Sequence, residues 1–191
     1  MTALTDDELA TLRAVGPFVA AFAAVALWAL SRLAEAIAGW LRSTSARRAM
    51  IRAISAEIDY NTSDLAHFVD ASPPIDQIRS AIQQNPNFIP HVTDARHTVV
   101  YRDRIGDLHR LDDDYIASVV RFYGELEKIR EQIEGIRRPS YLTISETGRL
   151  EVVRRLTSRS RTARDLGLMV LERMERTHPR YRLKRGRPTE G

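Results

Sequence analysis

The stretch AVGPFVAAFAAVALWALS, Ala14 to Ser31, holds eighteen residues without a formal charge between Arg13 and Arg32. At about 1.5 Å per residue such a helix covers roughly 27 Å, close to the ~30 Å hydrocarbon core of a bilayer. Arginines at its ends can snorkel across the remainder. The stretch predicts one membrane-spanning helix, anchored through Pro17, Phe18, Phe22, Val25, Leu27, Trp28 and Leu30.

Its flanks weigh against a cleaved signal peptide. A secretory signal carries a basic n-region, whereas Asp6, Asp7 and Glu8 precede the run with Arg13 alone opposing them. After it come Arg32, Arg42, Arg47, Arg48 and Arg52, with Glu35 the only acid before Glu57. That asymmetry predicts an N-terminus outside and a cytoplasmic C-terminal part, at the inner membrane of a bacterium. A buried or interfacial helix is the other alternative. Gly16, Ala20 and Ala24 repeat at four-residue spacing and offer a small-residue face for self-association of the span.

Thr5 and Glu8 have capping-box spacing, so a short helix is expected before a break at Gly16-Pro17, with Pro17 in the first turn of the spanning helix. Leu33, Ile37, Trp40 and Leu41 continue an apolar stripe beside Glu35 and Arg42, as an interfacial extension does. Trp28 and Trp40 are placed as interface residues.

The chain of 191 residues leaves room for one modest domain behind such an anchor. It has no cysteine, which excludes disulfides and thiolate metal sites. The net charge is +4, and Lys128 and Lys184 are the only lysines. Arginine and alanine of that abundance fit a GC-rich bacterial genome better than they fit a nucleic-acid-binding protein.

Ile51, Ile54, Ile58, Asn61, Leu65 and Phe68 follow a 3-4-3-4-3 spacing, and Val119, Phe122, Leu126, Ile129, Ile133 and Ile136 repeat it. Both predict helices with an apolar seam, packed on one another as an antiparallel hairpin. Between them lie Pro73, Pro74, Pro86 and Pro90, a short helical pattern at Ile75, Ile78 and Ile82, and a second short helix expected from Asp94 to Ile105, ended by Gly106. Asp112, Asp113 and Asp114 suit the N-terminus of the second seam helix, a capping role preferred to a cation site with His109 because consecutive aspartates on a helix point apart. That helix should end at Gly135 to Arg138, before Pro139, with Ser145 as the next N-cap. A last helix is expected from Glu146 to Thr177, stopped by Pro179, with Leu150, Val153, Ala163, Leu166, Val170, Leu171 and Met174 inward. Arg154, Arg155, Arg159, Arg161 and Arg164 form a solvated face on it or a surface for phosphate.

Asn61 interrupts an otherwise apolar seam, where a polar residue commonly fixes register; a ligand-facing role with Glu57 one turn earlier is the minor alternative. Tyr60 and Tyr123 are expected to supply core polar contacts through their hydroxyls. The layout resembles a loose group of uncharacterised bacterial single-pass membrane proteins, in an N-terminal anchor, a helix carrying Glu57-Ile58 and Asn61, and a later helix carrying Phe122-Tyr123 and Leu126. The resemblance implies a helical cytoplasmic domain and transfers no catalytic residue.

Catalytic signatures are missing: no Gly-rich phosphate loop, nucleophile elbow or His-Glu-x-x-His helix occurs. His91 and His97 flank Asp94 without a third fixed ligand, so neither metal, cofactor nor small-molecule substrate is inferred. The expected organisation is all-α: an acidic tail 1–13, a span with its continuation 14–42, a cytoplasmic bundle 43–178 and a basic tail 179–191. Three functions follow in order. The first is a membrane-anchored interaction or scaffold module that organises a protein partner and self-associates. The second is a membrane-active or pore-related oligomer. The third is binding of anionic lipid or, less favoured, nucleic acid by the Arg-rich last helix and by Arg180, Arg182, Lys184, Arg185 and Arg187.

Overall fold

The computed structural model describes residues 6–93, 97–181 and 183, all in helices, turns or irregular segments, with no strand among them. Five α-helices follow one another: α1 (Asp6–Ala71), α2 (Ile75–Gln84), α3 (Val99–Asp103), α4 (Asp113–Arg137) and α5 (Glu146–Thr177). Short 3-10 turns cover Ile105–Arg110, Pro139–Thr143 and Pro179–Tyr181. The chain divides into two compact units, Met1–Ala46 and Arg47–Gly191.

Two expectations about the helices are corrected, the first of them in α1. The helix passes through Gly16 and Pro17 without interruption, so Pro17 lies in its interior and not in a first turn. A proline removes one backbone donor, and the ladder on either side of it carries the helix through. The second correction concerns the expected helix from Asp94 to Ile105. Residues 94–96 lie outside the described residues, and what forms beyond them is the five-residue α3 followed by a 3-10 turn that contains Gly106.

The second unit is organised by three apolar faces. Ile51, Ile54, Ile58 and Leu65 of α1 have no exposed surface, and neither do Val119, Phe122, Ile129 and Ile133 of α4. The expected pair of seams is completed by α5, whose Leu156, Ala163, Leu166, Val170, Leu171 and Met174 join the same core. Leu150 and Val153, near the start of α5, instead pack with Ile78 and Ile82 of α2, which forms a small satellite core.

At Gly167 the three helices approach one another closely. A Cβ there would overlap Thr62 Oγ1 of α1 and lie 2.8 Å from Phe122 Cε2 of α4. The missing side chain is therefore a packing requirement, despite the cost of glycine inside a helix. The predicted stop and start signals around α5 operate as read. Ser145 is the N-cap, and its Oγ accepts the Gly148 N–H at 3.2 Å.

Candidate membrane-facing and interaction surfaces

In the first unit, the described part of α1 leaves its large apolar side chains uncovered. Phe22 is 78% exposed, and Val25, Leu27, Trp28, Leu30, Leu33, Ile37, Trp40 and Leu41 are exposed as well. Burying such a side chain stabilises by about 1.5–3 kcal/mol, so a stretch of nine is a strong demand for an apolar surrounding. This helix is long and apolar enough to cross a membrane. Three of its polar side chains bond to the backbone of their own helix: Ser31 Oγ donates to Trp28 O at 2.8 Å, Thr44 Oγ1 to Trp40 O at 2.8 Å, and Arg42 Nε to Ala38 O at 3.2 Å. Ala24 is exposed. Gly16, Pro17, Phe18 and Ala20 lie in the helix, and their side chains fall outside the described residues.

In the second unit, Glu57 and Asn61 form one polar node inside the apolar seam. Asn61, fully buried, donates through Nδ2 to its own helix at Glu57 O (2.9 Å) and to His97 O (2.6 Å), while its Oδ1 accepts the His97 N–H at 2.9 Å. Its amide thus pairs with the backbone of the segment entering α3. Glu57 completes the junction: its carboxylate accepts the Val100 N–H (2.7 Å), the Tyr101 N–H (3.0 Å) and the Tyr123 hydroxyl (2.8 Å). The first two are orphan donors of the first turn of α3, so a glutamate from α1 caps a helix 43 residues later. Burial, reinforced by the Glu57 charge, raises the Tyr123 pKa far above its usual value, so the phenol remains a donor. Tyr101 stacks on it with centroids 3.8 Å apart. The expectation for Tyr60 is corrected: it is 52% exposed and its ring meets that of His97 in a T-shaped pair.

The Asp112 cap is also corrected. Asp112 is the N-cap residue of α4 but makes no capping hydrogen bond. Its carboxylate is drawn instead to the guanidinium of Arg47 and to His178 Nε2 at 3.1 Å. The Tyr115 hydroxyl lies 2.8 Å from the same Nε2, the His178 ring stacks on Tyr181 at 4.7 Å, and the Arg48 guanidinium sits over Tyr181 at 5.6 Å. This clasp ties residues 178–181 to the first turn of the bundle. Burial lowers the His178 pKa against the pull of Asp112, and burial raises that of Tyr115 to about 12.

The arginines of α5 are mostly matched within the protein. Arg154 and Arg155 pair with Glu151, Arg159 with Glu125 and Arg164 with Asp165. Glu151 is held below the usual carboxylate range, first by its hydrogen bond from Arg155. Arg161 is exposed with no ion pair among the described residues. Of the basic tail, Arg180 is exposed, while Arg182, Lys184, Arg185 and Arg187 lie outside the described residues. His109 bonds to Gly106 O, and no group of three or more acids and histidines among the described residues is placed to hold a metal ion.

Sequence reasoning missed Arg149 and Gly167. Arg149 is buried, 7% exposed, and donates to Pro86 O at 2.7 Å, joining α5 to the segment after α2. No sequence signal marks it, since it stands among seven other arginines of the same helix. Gly167 had one: a glycine inside an otherwise strong helix calls for a packing reason. A scan against protein families finds no match to this chain, and searches of curated proteins and of solved structures find none either.

Proposed function

We propose that the protein is a membrane-anchored helical interaction module that organises a protein partner at the inner face of a bacterial membrane. In this reading the N-terminal part of α1 spans the bilayer with its acidic start outside, and the bundle from Arg47 onward is cytoplasmic. The span self-associates through Gly16, Ala20 and Ala24. The observation that carries the reading is the uncovered row from Phe22 to Leu41 in a chain whose second unit buries its own seams. One part demands an apolar surrounding; the other is complete without it. The polar clusters support an interaction role over catalysis, because Glu57, Asn61 and Asp112 are saturated by groups of the protein itself.

The test is crosslinking followed by affinity purification from native membranes, comparing the whole chain with one lacking residues 1–45. A partner or a self-associated species that depends on the anchor is expected. Absence of both removes the reading. A peptide of residues 1–45 that permeabilises liposomes would replace it with a pore-related one.

A further inference from the structure

The second unit holds a cavity of about 520 Å³ between the last turns of α1, the segment around Phe88 to Thr93, and α5. That volume lies within the range of small-molecule sites. Its walls are mainly apolar, with Phe68, Phe88, Val153 and Leu156 among them. Three titratable side chains reach it with no hydrogen bond or ion pair among the described residues: Asp64, His67 and His91. Asp64 and His67 are three residues apart on one face of α1, which brings a carboxylate and an imidazole to the same side of the opening.

Two features of charge give the cavity its sign. Among the described residues, no lysine or arginine lines this cavity. Asp64 is also unusual among the acids. It is half-buried, and every other buried or half-buried acid of the described residues has a partner: Glu57, Asp112, Glu125, Glu127, Glu134, Glu146 and Glu151 in bonds given by the fold, with Asp59, Asp107 and Glu175 likewise engaged. A partly desolvated carboxylate favours a cation beside it. In a protein so rich in arginine, this one acid is left open toward an apolar cavity.

We propose that the cavity binds a small organic cation, a compact apolar body bearing one protonated amine. The body rests against Phe68, Phe88 and Leu156, and the ammonium pairs with Asp64. A ring nitrogen of His67 or His91 accepts a further ammonium hydrogen. Anionic amphiphiles of the same shape are rejected, since they meet Asp64 with no lysine or arginine among the described lining residues.

The proposal is tested with the full chain in lipid nanodiscs, titrated with 4-phenylbutylammonium, 4-phenylbutanoate and 4-phenylbutan-1-ol; empty nanodiscs correct for partitioning. The ammonium is expected to bind at least tenfold more tightly than the carboxylate, with the alcohol between them. Asp64→Asn, which removes no contact within the protein, should bring the ammonium to the affinity of the alcohol, and Asp64→Glu should keep the preference. Thr157→Trp, at the cavity wall, should weaken all three probes while circular dichroism stays unchanged. Equal affinity for the three probes, no binding, or a preference that survives Asp64→Asn overturns the proposal. None of these outcomes depends on the anchor having a protein partner.

Discussion

Replacing Gly167 by alanine sets two opposed effects against each other. In an exposed helix the change stabilises by about 0.8–1.0 kcal/mol, because glycine is the poorer helix former. At this position the new methyl overlaps Thr62 Oγ1 and comes within 2.8 Å of Phe122 Cε2. Overpacking of a closed core costs about 1–3 kcal/mol. Thr62 can turn away only by giving up its 2.7 Å hydrogen bond to Ile58 O, which costs about 0.5–1.5 kcal/mol more. The net expectation is a loss of about 1–3 kcal/mol. For a domain of this size that lowers Tm by roughly 3–10 °C, readable in the near-UV tyrosine band because Tyr115, Tyr123 and Tyr141 are in the core. Adding Thr62→Ala should recover part of the loss, so that the double variant is more stable than the sum of the two single effects. A Tm that rises on Gly167→Ala, or strictly additive variants, would refute the three-helix contact.

Glu57→Ala leaves the Val100 and Tyr101 amides and the Tyr123 hydroxyl without their acceptor; a loss of about 3–5 kcal/mol in urea unfolding is expected, larger than for Glu57→Gln. Raised tyrosine pKa values favour the neutral phenols in the folded state, so this stability is complete below the ordinary value of 10 and falls as pH climbs through about 12 for Tyr115. Tyr115→Phe should remove part of that alkaline loss, followed by absorbance at 295 nm alongside unfolding. His178 has the opposite sign: its lowered pKa contributes stability present above 6.5 and lost as pH falls, and His178→Gln should flatten the acid limb of a Tm profile. Val25→Lys together with Leu30→Lys should shift the chain from the membrane pellet to the supernatant, at about 2.5–3.5 kcal/mol for each lysine.

Elements with a periodic apolar face were legible in the sequence, and those fixed by partners distant along the chain were not. The seams of α1 and α4 and the Ser145 cap depend on spacing and on neighbours within a turn, so their residues announce them. Asn61 drew notice as a polar residue among isoleucines, but its partner is the backbone of His97, and backbone atoms look alike at every position. Glu57 poses the same difficulty. Asp112 shows how a local signal can be outbid: its capping geometry was available, but Arg47 and His178 offered the carboxylate charged and imidazole partners that only the folded chain brings near. The apolar row from Phe22 to Leu41 was the plainest reading of all, since it needs no partner within the chain.

The clasp at Asp112 also governs how force travels through the bundle. Arg47 and Arg48 begin the second unit, and His178 and Tyr181 close its last described turns, so both ends of the bundle are fastened at a single locus. A pull between residue 46 and residue 183 therefore bears on the Arg47, Asp112 and His178 contacts together with the apolar core, on which Tyr181 and Leu183 also pack. The ends of the bundle share one load path instead of being strained apart in sequence.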